Sequence, residues 1–397
     1  MQFTTPNSKV GSIFETTQEE MEIPQKGSDQ ILLICVFMLM IVGSLAVFSS
    51  IAYFAQSHET TAGSLVTAHI IKMGIAFFIM IIVSKINYNI IAKFSHLAII
   101  ISWALLIAVM IYGDYVFGAR RSLSIAGFSF QPSSFAALAL IIHLAVLLHD
   151  KQEYIKDFTR SFLPIMFWVT ITCFLIALED FSSAALLMAI SIFMMFVGRI
   201  SSLQIFGLIL IGIVGAAGIV STSAERQSRI TQYVNQVTDI NSQHFESGSG
   251  YQAQQAHIAI AQGQVLGVGI GKSTQRDFLP APYNDFIFAI ITEEYGMVGA
   301  FSVILLFMII LYRGIATIAR HAPDVLGILM ALGATLMITM YGFVNAAVAT
   351  GLFPVTGLPM PFVSYGGTSM LFAGVMVGIL LNISKHNQNL KTRFYNG

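Results

Sequence analysis

Apolar blocks separated by short polar segments dominate the chain. Ile31 to Phe54 runs 24 residues without a charge, and further blocks follow at about 66–84, 96–113, 134–149, 162–178, 181–198, 203–220, 286–312, 325–350 and 367–383. A run of roughly 20 apolar residues crosses a bilayer as a helix. The pattern predicts an all-α polytopic membrane protein with ten transmembrane helices, the block at 134–149 being the shortest. A transmembrane barrel would show ten-residue alternation, and none of these blocks alternates. The polar, acidic residues 1–29 read as an N-terminal tail, 30–384 as one helical membrane domain and 385–397 as a C-terminal tail. The tail lacks the basic start and early apolar stretch of a cleavable signal peptide.

Composition sharpens this picture. Only 10% of the 397 residues are charged, against about 25% in soluble domains, and 56% are hydrophobic. A formal net charge of zero argues against a nucleic-acid partner, which would want a basic face. Cys35 and Cys173 both sit in apolar runs and read as small hydrophobes. The 20 basic residues give the orientation. With a cytoplasmic N-terminus they split 13 in cytoplasmic segments, 6 in outer segments and 1, Lys72, within a span. Both termini are thus expected inside, and Lys72 is expected to snorkel toward the outer surface.

Polar sequence gathers on the outer side. The loop between the seventh and eighth spans, 221–285, is about 65 residues long and carries a glycine series at Gly263, Gly267, Gly269 and Gly271. A second outer loop, 114–133, holds Arg120-Arg121, and a third, 351–366, is uncharged and rich in glycine and proline.

Several constellations could carry chemistry. Asp285 stands where the long loop meets a span, after Pro280 and Pro282. A carboxylate against an apolar helix is partly desolvated and suits proton transfer, while the same position also suits a helix N-cap. Glu293 and Glu294 lie deeper in that span, as a cavity lining or as a hydrogen-bonded pair tying helices together. Arg120 and Arg121 offer forks for a diphosphate or carboxylate, or for lipid headgroups. The glycine series with Lys272 and Gln275 could present backbone N–H groups to an anion. Nucleotide-binding glycine motifs and the Gly-x-Ser-x-Gly elbow are missing, and no His, Cys or carboxylate set has metal-ligand spacing.

Three segments together resemble the SEDS family, the FtsW/RodA/SpoVE-type peptidoglycan glycosyltransferases. They are Gly118-Ala-Arg-Arg through Phe130-Gln-Pro-Ser133, Gly250-Tyr-Gln-Ala-Gln-Gln255 through Leu279-Pro-Ala-Pro-Tyr-Asn-Asp-Phe-Ile-Phe-Ala289, and Gly351-Leu-Phe-Pro-Val-Thr-Gly-Leu-Pro-Met-Pro-Phe-Val-Ser-Tyr-Gly-Gly-Thr-Ser369. The likeness covers roughly residues 28 to 385 in order and leans toward the division branch. It departs at Ser134, Ala137 and Ala281, where the family pattern has Glu, Lys and Glu.

The resemblance implies an enzyme that polymerises lipid II into glycan strands at the outer face of a bacterial inner membrane, at the division septum. It places the catalytic base on Asp285. Substrate contacts are implied at Arg120, Arg121, Gln131, Lys272, Gln275, Ser364, Tyr365, Gly366 and Gly367. The implied partners are a class B penicillin-binding transpeptidase, division-complex membrane proteins and membrane lipid, with Mg or Mn the one candidate cofactor and no protein metal site. Two rivals stand beside it. A flippase or transporter would show repeated halves and discontinuous helices, and a non-catalytic scaffold would only recruit the transpeptidase.

Overall fold

The computed structural model describes residues 28–57, 62–116, 119–125, 128–238, 248–279 and 281–395. The expected tail over residues 1–27 lies outside them. The long helices are α1 (Gln30–Ser57), α2 (Ala62–Val83), α4 (Ser95–Tyr112), α5 (Pro132–Asp150), α6 (Leu163–Glu179), α7 (Phe181–Val197), α8 (Ser202–Ser221), α11 (Ile287–Tyr312), α12 (Val325–Ala349) and α13 (Thr368–Tyr395), with a short α3 (Tyr88–Lys93). Among the described residues nine helical stretches are long and apolar enough to cross a membrane, and α7, at 17 residues, is a shorter apolar helix. The block at 134–149 makes a full-length span because the helix begins at Pro132, whose fixed φ suits the first turn.

Helices α5, α12 and α13 form the centre of the bundle, whereas α8 lies at its edge. Large side chains such as Phe78, Phe206 and Phe301 stay exposed, as expected where the solvent is lipid. Small residues let the helices approach closely. A Cβ on Gly374 would stand 2.6 Å from the Ala76 carbonyl, and one on Gly378 would stand 2.8 Å from that of Met80. That contact seats α2 on α13. At the end of the bundle away from the long loops, Asp29 receives Leu32 N as a cap at 3.0 Å and pairs with Arg313 Nη2 at 2.6 Å.

The helical bundle follows the expected class, and two features of the outer segments add to it. The 114–130 segment folds into an antiparallel sheet, β1 (Asp114–Val116), β2 (Ala119–Ile125) and β3 (Phe128–Phe130), with Leu123 opposite Phe130 and Ile125 opposite Phe128. The long loop holds two helices, α9 (Ala224–Thr238) and α10 (Gly248–Gly263). The second packs on α11 through Gly250, Ala253, Ala256, Ala259 and Gly263, all buried.

Helix α11 is interrupted at Gly296, whose φ of 67° lies in the left-handed region that glycine tolerates best. The break would strand backbone groups inside the membrane, where each must find a partner. Segment 264–269 supplies them. Met297 N donates to Gln264 O at 2.9 Å and Val298 N to Val265 O at 3.3 Å. In return Val268 N donates to Glu293 O at 2.9 Å and Gly269 N to Glu294 O at 3.1 Å.

Candidate active site

Three loops meet at one end of the bundle: the sheet, the segment before α11, and the segment 351–367 before α13. Asp285 sits at their junction. It does not occupy the N-cap position of α11, which falls on Phe286 and makes no side-chain cap. Its backbone is held from three directions. Tyr365 N donates to Tyr283 O at 2.8 Å, Ser364 Oγ to Asn284 O at 2.7 Å, and Asn345 Nδ2 to Asp285 O at 3.0 Å. Three consecutive carbonyls are thereby fixed, and Asp285 itself is half-buried. Gly357, at φ +72°, faces it, since a Cβ there would lie 3.5 Å from Asp285 Oδ2.

The aromatic wall beside Asp285 is Tyr283 and Tyr365, edge to face at 5.5 Å. Burial, then the nearby Tyr365 and Asp285, pushes the Tyr283 phenol up to about 12. His69 also stacks on Tyr365, at 5.4 Å. The Lys72 ammonium lies 4.8 Å from the Tyr365 ring centroid. Lys72 thus points at this wall rather than simply snorkelling outward.

The remaining expected contacts divide. Ser364 is buried, and its hydroxyl also accepts from Met360 N at 2.8 Å, so it holds the loop together. Gly367 packs against β3, where a Cβ would stand 3.3 Å from Ser129 O. Gln131 N donates to Thr368 Oγ1 at 2.9 Å, which hooks the sheet onto α13. Arg120 and Arg121 lie in β2, but their side chains, and with them the expected anion contact, lie outside what the structure describes.

The glycine series does not form the expected anion cradle. Gly267 N donates to the Gly263 carbonyl and Gly269 N to the Glu294 carbonyl, while the Gly271 N–H serves the Glu294 carboxylate. Gln275 is buried, and its N–H, with those of neighbouring groups, serves the Glu293 carboxylate: Thr274 N donates at 2.9 Å and Gln275 N at 3.3 Å, with Ser273 Oγ also donating. Glu294 accepts from Ser49 Oγ of α1. These carboxylates tie elements together. Lys272 stays exposed in that turn.

Two cavities adjoin the site. A narrow one of about 50 Å³ is lined by Ser134, Ala137, Ser364 and Gly366 among methionines and phenylalanines. The family charges missing at Ser134 and Ala137 leave it apolar. A larger one, about 680 Å³, runs past Glu179, Arg226 and Phe353 to Thr356 and Leu358, the neighbours of Gly357. Arg226 at its rim donates to Ala177 O at 3.0 Å and Leu178 O at 3.2 Å. Among the described residues no three His, Cys, Asp or Glu side chains come together to hold a metal ion.

Sequence reasoning missed Asn345, Gly357 and His69. Asn345 and His69 were visible as isolated polar residues inside apolar blocks, a pattern that marks buried polar work. Nothing local pointed to Gly357.

The chain matches the family described as cell cycle protein, FtsW/RodA/SpoVE, over residues 29–389. It is 35% identical over 375 residues to stage V sporulation protein E of Bacillus subtilis, covering 93% of this chain and all of that one. It is 30% identical to a probable peptidoglycan glycosyltransferase FtsW of Geobacter sp., covering 90% and 97%. A chain from a solved peptidoglycan synthase complex shares the fold, with a TM-score of 0.71, 21% identity, and coverage of 91% and 99%. Sequence and fold agree, and the chain is a multi-pass membrane protein that belongs to the FtsW/RodA/SpoVE cell cycle protein family.

Proposed function

We propose that this protein is a peptidoglycan glycosyltransferase that polymerises lipid II at the outer membrane face, at the division septum, with Asp285 as general base. The observation that carries this reading is the Asp285 backbone, held by three clamps opposite Gly357, whose neighbours Thr356 and Leu358 line a cavity of about 680 Å³. The acceptor sugar's 4-hydroxyl attacks the anomeric carbon of the lipid-linked donor. Asp285 takes the hydroxyl proton as the new C–O bond forms, and the bond to diphosphate breaks. Diphosphate is already a good leaving group, so no strong general acid is required. The names of the similar proteins and the wide apolar surface, suited to a polyprenyl tail, support the reading. A class B transpeptidase fits as partner, given that a structural neighbour comes from a peptidoglycan synthase complex.

One observation favours the transporter as a second reading: α11 is discontinuous within the membrane, as that class would have it. Here, however, the groups freed by the break are engaged by 264–269. Purified protein in vesicles with labelled lipid II, with and without the transpeptidase, separates the readings. Glycan polymer supports the enzyme, transbilayer movement alone the transporter, and neither one the scaffold.

A further inference from the structure

Lys72 stands ten residues after Ala62, the first residue of α2, about 15 Å along the axis at 1.5 Å per residue. A cation at that depth is expensive and marks function or a partner. Among the described residues the salt bridges do not include Lys72. Its ammonium instead lies against the Tyr365 ring at 4.8 Å. That ring contacts Tyr283 at 5.5 Å, and the Tyr365 N–H holds the Tyr283 carbonyl at 2.8 Å, two residues before Asp285. On the other side of the same loop, Ser134 and Ala137 contribute no charge.

The geometry points to Lys72 as the residue that binds the diphosphate of the prenyl-linked substrate, approaching from α2 with Tyr365 as its platform. This rests on the lipid II reading above. A compact ammonium on a flexible stem suits a phosphate oxygen, and a ring face holds it in place while no anion is bound. The contact with Tyr365 sets the charge beside the loops that hold Asp285, where a diphosphate would join the prenyl chain to the sugar head. A purely structural Lys72 would instead be part of the packing of α2 on α13.

The test uses the purified full chain with farnesyl diphosphate as probe and farnesol as control. Lys72→Met should weaken farnesyl diphosphate binding at least tenfold, leave farnesol binding unchanged, and hold or raise the melting temperature. Lys72→Arg should bind the diphosphate within about threefold of wild type. If K72M fails to fold, K72Q is judged by the same criterion. Equal diphosphate affinity in wild type and K72M, or in wild type and K72Q, overturns the assignment. A parallel lipid II assay separates the two failures. A polymerising wild type whose K72M binds the diphosphate normally removes only Lys72. A wild type that neither polymerises nor binds the diphosphate removes the function it rests on.

Discussion

Asn345 Nδ2 donates to the backbone carbonyl of Asp285 at 3.0 Å. The same amide reaches Leu358 O at 2.8 Å, so one buried side chain of α12 ties the candidate base to the loop that faces it. Asn345→Leu leaves two buried carbonyls without that donor, a loss of about 1–3 kcal/mol. It should lower the melting temperature and reduce lipid II polymerisation at least tenfold. A variant with unchanged turnover would show that the clamp does not position Asp285.

Ser364 makes a comparable bridge from the other loop, accepting from Met360 N and donating to Asn284 O. Ser364→Ala should destabilise the protein by about 1–3 kcal/mol and lower the polymerisation rate, while leaving substrate affinity near wild type. Rate and KM measured together check this. A rise in KM with unchanged kcat would return Ser364 to the role of a substrate contact.

Gly267 and Gly296 hold the broken helix against its partner segment. Both have positive φ, and a Cβ on Gly267 would overlap the Glu294 carbonyl. Gly267→Ala should cost roughly 2–4 kcal/mol from left-handed backbone and overlap together. The expected readout is a sharp fall in folded yield, with Gly271→Ala as the milder comparison because its surroundings are open.

His257 of α10 lies beside Gly351, where a Cβ on the glycine would stand 2.6 Å from Nε2. Burial holds its imidazole below the ordinary value near 6.5. The unfolded chain therefore binds the proton first as pH falls, and stability is lost as pH drops through about 6.5. His257→Gln should flatten the acid side of a melting-temperature profile between pH 7 and 5. An unchanged profile would remove His257 from the pH response.

The spans were legible because burial in lipid writes a signal over twenty residues, and each apolar block became a helix. The small sheet was less so. Its alternation, Leu123 and Ile125 against Ser122 and Ser124, covers too few positions to stand out beside the arginine pair. The break at Gly296 was invisible, since an isolated glycine in an apolar run does not show which carbonyls another segment will meet. Asp285 was legible as a residue, from its place at the loop–span junction and its resemblance. Its support was not, because Asn345, Ser364 and Tyr365 reach it across 60 to 82 positions of sequence. Ser364 shows the same limit from the other side: its motif marked it for the site, and only the fold showed its hydroxyl turned inward.

The most direct measurement is lipid II polymerisation by Asp285→Asn. Asn keeps the size of the side chain, and the clamps on Tyr283, Asn284 and Asp285 use backbone carbonyls that the substitution does not touch. Folding, membrane insertion and melting temperature should hold. Proton acceptance should be lost, a contribution typically worth about 10²–10⁴-fold, and polymer should fall to near background. Polymerisation by Asp285→Asn at near the wild-type rate would contradict the assignment of Asp285 as the base.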